Sequence, residues 1–190
     1  GTQLTATVGS WSGNPTPAIS YQWLTCSQEG VALTAATPPS DCSQIKGATS
    51  TSYTPAPQDV GSRLRFAAKA TNPFGTSVRY SATSDAIGGP PYFASAPSIS
   101  GRARVGSTLR AQTNVKALAT ISYEYRWYAC NRSSRSANVL PNSCDPVAIG
   151  STDTFVIVSR PTRGYIVLGV TATSGDQSAT AYSASIGPVR

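Results

Sequence analysis

The chain has 190 residues and a formal net charge of +7, with no histidine and no methionine. Only 12% of its residues are charged, and Ser, Thr, Ala and Gly are abundant, a balance that favours short strands and turns over long helices. No run of about 18 apolar residues is present to span a membrane, and the lack of histidine excludes Ser-His-Asp and Cys-His catalysis together with histidine-ligated metals.

In chain order, apolar and polar residues alternate over short runs punctuated by Gly and Pro. Leu4, Ala6 and Val8 form a first inward row, and Ile19, Tyr21 and Trp23 a second. Leu64, Phe66, Ala68 and Ala70 form a third, and Val78 with Tyr80 fits a fourth. By the same parity Arg63, Arg65 and Lys69 point outward, with Arg79 on a neighbouring strand. Gly88-Gly-Pro-Pro91 cannot continue a strand. These signals place one domain at residues 1–88, a linker at 89–95 and a second domain at 96–190, with Ala96-Pro-Ser-Ile-Ser-Gly101 as the second domain's first strand. Its inward rows are Leu109 and Ala111; Ile121, Tyr123, Tyr125 and Trp127; and Ile166, Leu168, Val170 and Ala172. Gly187-Pro-Val-Arg190 resembles the start of the linker, so a third unit is expected to be able to follow. The missing initiator Met leads us to expect a processed or excised N-terminus.

The chain is written twice. Tyr21-Gln-Trp23-Leu-Thr-Cys26 returns as Tyr125-Arg-Trp127-Tyr-Ala-Cys130, Leu4-Thr-Ala6 as Leu109-Arg-Ala111, and Tyr80-Ser-Ala-Thr83 as Tyr182-Ser-Ala-Ser185. A second cysteine follows each motif, Cys42 and Cys144. Four cysteines allow three pairings; the repeat favours Cys26–Cys42 and Cys130–Cys144, because each unit must fold around its own pair. Each bridge closes a loop of about 15 residues, stabilising by about 3 kcal/mol. A four-cysteine zinc site is the rival, but it usually needs a short Cys-x-x-Cys hairpin that this chain lacks. Disulfides imply an oxidising, extracellular compartment, secreted or at the cell surface. The copies differ in two respects. Residues 1–94 carry +1 and residues 95–190 carry +6. Gly1 aligns with Gly106, so the first unit has no counterpart of Ala96–Gly101; this reads as a fragment boundary or as an open edge inviting β-augmentation.

These residues resemble bacterial immunoglobulin-like repeats, especially those in long secreted actinobacterial proteins. The resemblance rests on Gly1-x-x-Leu4-x-Ala6, Gly9-x-Trp11, Tyr21-x-Trp23-x-x-Cys26, Cys42-x-x-Ile45-x-Gly47-Ala, Tyr53-Thr, Asp59-Val-Gly61 and Ala70-Thr-Asn72-x-x-Gly75, and it covers nearly all of both units. It implies two tandem all-β antiparallel sandwiches, with Trp23 and Trp127 buried on the third strand of each and Tyr21 and Tyr125 beside them in the core. The inter-sheet cysteines of antibody domains would fall near Val8 and Ala68, so the bridge moves to Cys26–Cys42 and staples an excursion between strands. The second unit departs further: Val115 or Lys116 stands for Trp11, Phe155 for Tyr53, and Thr162-Arg-Gly164 for Asp59-Val-Gly61. Some such domains form intramolecular isopeptide bonds. That needs a buried lysine, and of Lys46, Lys69 and Lys116 the second at least should face solvent.

The eight acids are dispersed, with Asp59 and Asp153 as turn formers and Glu124 turned to solvent, so no paired carboxylates for glycoside hydrolysis stand out. No phosphate or calcium loop appears, and no cofactor is expected. Three surfaces could bind a partner: Arg126, Arg132 and Arg135 around the Cys130–Cys144 loop, where Asn131-Arg-Ser133 also fits a glycosylation sequon; rings among Trp11, Tyr80, Tyr92, Phe93 and Tyr182; and Arg63, Arg65 and Arg79. The leading expectation is a non-catalytic extracellular spacer or adhesive module that meets protein, cell-wall polymer or glycan, with no specific nucleic acid and no membrane insertion. The alternatives are a filament or virion subunit self-associating by strand complementation through the open edge of domain 1, and an accessory carbohydrate-binding module of a secreted enzyme.

Overall fold

The structure, a computed structural model, describes residues 2–135, 139–159 and 164–190. Gly1, Thr162 and Arg163, which enter the repeat alignment above, lie outside them. The described residues form antiparallel β-strands and one 3-10 turn, Pro57–Asp59. Two compact units result, Gly1–Gly89 and Pro90–Arg190.

The first unit contains β1 (Leu4–Thr5), β2 (Ala18–Cys26), β3 (Leu33–Thr34), β4 (Cys42–Gln44), β5 (Ser52–Tyr53), β6 (Arg63–Asn72) and β7 (Gly75–Tyr80). β1 pairs with β5, and the other five form a sheet in the order β3-β7-β6-β2-β4. Alternation places Trp23, Leu64, Phe66 and Ala68 in a core completed by Leu4, Ala6, Val8, Trp11, Tyr21 and Tyr53. Trp23 meets Phe66 and Tyr53 with ring centroids 5.3 and 5.9 Å away, and its Nε1 donates to the Ser50 carbonyl at 2.9 Å.

The second unit contains β8 (Tyr92–Ser100), β9 (Thr108–Lys116), β10 (Ser122–Cys130), β11 (Cys144–Gly150), β12 (Thr154–Val156), β13 (Tyr165–Ser174) and β14 (Gln177–Tyr182). Its sheets are β12-β9-β8 and β11-β10-β13-β14. One core joins them: Leu109 and Ala111 from the first; Tyr125, Trp127, Ile166, Leu168 and Val170 from the second; and Ile157 and Val189 from the flanking chain. Burying a side chain of this size fully contributes about 1.5–3 kcal/mol.

The first strand here begins at Tyr92, not at Ala96, so residues 92–95 are strand where a linker was expected. Phe93 packs against the core and pairs with Val115, which draws the strand back towards the Gly-Pro run. The register slips between Ser95 and Ser98, which accommodates Pro97 without a broken ladder bond.

The duplication extends to register. Tyr21, Trp23 and Cys26 face Ala68, Phe66 and Arg63; Tyr125, Trp127 and Cys130 face Val170, Leu168 and Tyr165. Leu4 faces Tyr53 as Leu109 faces Phe155. Each larger sheet is also apolar on its opposite face. Leu24, Cys26, Ala67 and Tyr80 cluster there with Leu33 and Ala35 in the first unit, and Tyr128, Cys130 and Val167 with Leu140 and Tyr182 in the second. The expected outward orientation of Arg65 is therefore corrected. It does lie on that face, but the face is covered, and Arg65 is only 2% exposed.

Candidate functional site

The covering is made by the segments between the paired cysteines. Cys26 bonds to Cys42, and Cys130 to Cys144, each pair sitting on directly facing residues of neighbouring antiparallel strands. The Cα atoms are 4.0 and 4.1 Å apart. Each bridge lies within one sheet, so the two sheets of a unit are joined by packing alone. Sulfurs bonded to each other are not thiolate ligands, which removes the four-cysteine zinc alternative; Asp41 beside Cys26 and Cys42 gains no metal-binding partner from them.

From each bridge a loop folds back over the sheet and is fastened at an equivalent point. The Gly30 N–H donates to Thr83 Oγ1 at 3.0 Å, and the Thr83 N–H to the Gly30 carbonyl at 2.9 Å. In the second unit the Ser134 N–H donates to Ser185 Oγ at 2.8 Å, and the Ser185 N–H to the Ser134 carbonyl at 3.1 Å. One hydroxyl residue thus supplies backbone and side chain to pin each loop.

Beneath the first loop, Arg65 Nη2 donates to the Val31 carbonyl at 3.1 Å, while its Nε is buried without a partner. Gly30 lies directly over this guanidinium; a Cβ there would stand 2.1 Å from Nη2. Arg63 Nη2 lies 3.5 Å from Glu29 and its Nη1 donates to the Ser84 carbonyl at 3.0 Å. Val167 faces Tyr128 as Arg65 faces Leu24, so the second unit fills the same place with an apolar pair. The expected three-arginine surface of Arg63, Arg65 and Arg79 is not assembled. Arg79 instead lies with its guanidinium carbon 4.7 Å from the centroid of the Trp11 ring.

In the second unit, Arg126 is exposed on the otherwise largely buried β10, and its Nε donates to Glu124 Oε1 at 2.6 Å. That bond, then the carboxylate charge, raises the arginine's pKa further. Arg132 and Arg135 are exposed on the loop after Cys130, as is Asn131 of the sequon. Residues 136–138 of that loop lie outside those described. The loop therefore carries two arginines at its surface, while the third is engaged by its own strand neighbour.

The rings expected to stack on a ligand are mostly structural. Tyr80 is buried, Phe93 packs on the second core, and Tyr182 meets Tyr128 edge-on at 6.2 Å. Trp11 is half-buried and bonds its own chain, Nε1 to the Val8 carbonyl at 3.3 Å. Tyr92 is half-buried. The aromatic side chain most exposed to solvent is Phe74, at 83%. It sits at the β6–β7 turn, where Asn72 Oδ1 accepts the Phe74 N–H at 3.0 Å. With Trp11 and Arg79 it borders an open groove of about 370 Å³. Turn residues beside Asn-Pro signal exposure rather than chemistry, so the sequence reading passed over Phe74.

Asp59 is a turn former and more. It is buried, and Oδ2 accepts from Tyr53 Oη and from the Ala56 N–H, both at 2.8 Å. Burial first, then the hydrogen bond and charge of Asp59, push the Tyr53 phenol up to about 12. Lys46, Lys69 and Lys116 are all exposed, which is not the environment an isopeptide bond requires. No helix among the described residues is long and apolar enough to cross a membrane. Compared with known proteins, the chain matches no family model and no curated protein.

Proposed function

We propose that the chain is a non-catalytic structural and interaction module of an extracellular protein, made of two immunoglobulin-like β-sandwiches that hold out disulfide-framed loops. The observation that carries this reading is the duplicated frame: in both units one bridge on facing strands launches a loop that a hydroxyl residue fastens over the sheet. Invested twice, that arrangement conserves a surface rather than a reaction centre, and its bridges fit an oxidising compartment.

The second loop, with Arg132 and Arg135 exposed in a unit of net charge +6, suits an anionic partner such as an acidic wall polymer. The reading is tested on cells that make the protein. Both cysteine pairs should resist thiol labelling without reductant, and added protease should reach the chain on intact cells. Free thiols in the cytosol would sink the proposal. For the partner, retention on a polyanionic wall polymer should fall steeply with salt and weaken in Arg132→Ser/Arg135→Ser; equal retention of that variant would move the contact elsewhere.

A further inference from the structure

We propose that the loop-covered face of the first unit's large sheet carries a binding cleft for an acidic saccharide, in which Lys69 receives a sugar carboxylate and Tyr80, Gln22 and Gln44 meet neighbouring sugar hydroxyls. The cleft holds about 460 Å³ and is lined by β2, β6 and β7 together with Ala36 and Pro38 of the returning loop. Its centre is a step in side-chain size. Ala67 stands directly opposite Gln22 on one side and Tyr80 on the other, so two long side chains flank a methyl group.

The polar groups around this hollow are not spent within the unit. Tyr80 is only 5% exposed, and its hydroxyl makes no hydrogen bond among the described residues. It is not one of the sealed partnerless atoms, which are Arg65 Nε and Trp127 Nε1, so it opens onto the cleft that Tyr80 lines. Gln22 Nε2 donates to the Ile45 and Trp23 carbonyls at 2.7 and 2.8 Å, which fixes the amide and leaves its Oε1 to accept. Gln44 and the Lys69 ammonium make no side-chain hydrogen bond or ion pair among the described residues, and no carboxylate lines the cleft.

The second unit has the same place closed. Glu124 and Arg126 hold the positions of Ser20 and Gln22, and they bond each other at 2.6 Å. Thr171 and Thr180 hold those of Lys69 and Val78, and their hydroxyls meet at 2.9 Å. Tyr128, in place of Leu24, leans with Tyr182 over Gly169, the counterpart of Ala67. A Cβ on Gly169 would stand 2.9 Å from the Tyr182 ring and 3.2 Å from that of Tyr128. One copy of the sheet face thus satisfies itself, while the other presents a cation, a phenol and two amides around a hollow.

The ligand class follows from that set. A lone ammonium with no acid beside it balances a monoanion; a phosphate calls for an arginine fork or a helix N-terminus, and neither lines the cleft. The backbone of the floor is committed to the ladders between β2, β6 and β7, so an extended peptide has no edge to pair with there. Amide and hydroxyl groups around the aliphatic surface of Leu24, Ala67 and Val78 match the hydroxyls and the C–H face of a sugar. The cleft shares no residue with the arginine-bearing loop of the second unit, so the two contacts are independent.

The test titrates the isotope-labelled 190-residue chain with digalacturonate and with sialyllactose, each beside its uncharged counterpart, digalactose and lactose. At least one acidic sugar should give saturable amide shifts around Gln22, Ala67, Lys69 and Tyr80, and its uncharged counterpart should bind at least about tenfold more weakly. Lys69→Gln, at an exposed position, should bring the acidic sugar down to the affinity of the neutral one. Tyr80→Phe removes the hydroxyl alone and should weaken both. Arg132→Ser/Arg135→Ser should leave the shifts as they are, which separates this cleft from the loop. Glutarate, a carboxylate without a sugar, should give no saturable shift. Neither acidic sugar moving those residues up to tens of millimolar, shifts confined to the second unit, undiminished binding in Lys69→Gln, or equal binding of glutarate would each overturn the proposal.

Discussion

Tyr53 and Phe155 occupy matching places, facing Leu4 and Leu109, and differ by one hydroxyl. In the first unit that hydroxyl joins the buried Asp59 carboxyl, whose remaining partner is the Ala56 N–H. Tyr53→Phe leaves a buried acceptor short of a donor, so a loss of about 1.5–3 kcal/mol is expected in denaturant melts of the first unit. The pH dependence has a definite sign. The phenol is raised from 10.0 to about 12 on folding, so its contribution is intact below pH 10.0 and is lost as pH climbs through about 12. Stability should therefore decline across that interval, and less steeply in Tyr53→Phe. Tyr80, Tyr125 and Tyr128 are raised too, chiefly by burial, so some alkaline decline persists in the variant. Tyrosinate absorbance followed alongside unfolding separates the contributions; an unchanged slope in the variant would contradict the assignment.

A second residue-scale prediction concerns Arg65 and Gly30. A methyl group on Gly30 collides with Nη2 of a guanidinium that is already buried and has nowhere exposed to retreat. Gly30→Ala should cost about 1–3 kcal/mol. Arg65→Met keeps most of the volume, removes the partnerless Nε, and should be close to neutral, since replacing a buried charge by an apolar group often is. In the Arg65→Met background the penalty of Gly30→Ala should shrink. A double-mutant cycle reads this directly, and strict additivity would mean the two residues do not meet in solution.

At the scale of elements, the central strands were legible because alternation is a property of the chain alone. Tyr21 and Trp23, Leu64, Phe66 and Ala68, and Trp127, Ile166, Leu168 and Val170 all point where the pattern sends them. The opposite faces were not legible. Leu24, Ala67, Tyr128 and Val167 are buried because a loop returns over the sheet, and periodicity within a strand carries no record of what arrives from elsewhere. The same covering misled the reading of Arg65. In the candidate site the cysteine pairing could be argued from the repeat, whereas the fastening of the loops by Thr83 and Ser185 could not, since any Ser or Thr would look alike. Phe74 was missed and most of the proposed stacking rings proved structural, because exposure depends on packing that spacing does not encode. The bridge itself yields a prediction. Cys26→Ala/Cys42→Ala frees a loop of about 15 residues and should cost about 3 kcal/mol. Cys26 is buried within the loop-covered cluster, so hydrogen exchange should accelerate first across residues 27–41 and on Leu24 and Tyr80, with the Trp23–Phe66 core retained. Uniform acceleration throughout the unit would mean that the bridge holds the main core and not the covering.

For the molecule as a whole, one fold is carried by two copies with unequal cores. Among the described residues, the largest fully buried side chains of the second unit are Trp127, Leu109, Ile157, Ile166, Leu168, Val167, Val170, Val189 and Cys130, whereas the first contributes Leu24, Leu64 and Cys26. Leu4 and Ala6 are only partly buried, whereas their counterparts Leu109 and Ala111 are buried. Fewer fully buried side chains lower the free energy available to the first unit. The two bridges close loops of similar length, 16 and 14 residues apart in sequence, so they do not offset the difference. Trp127 Nε1, buried without an acceptor where Trp23 Nε1 bonds Ser50, works against the second unit by about 1–3 kcal/mol, less than two fully buried aliphatic side chains supply. Calorimetry on the oxidised chain should therefore resolve two transitions, with the first unit melting at the lower temperature. Tyr53→Phe should move the lower transition alone, and Leu168→Ala, costing about 2–5 kcal/mol, the upper alone. A lower transition that responded to Leu168→Ala would reverse the order argued from these cores.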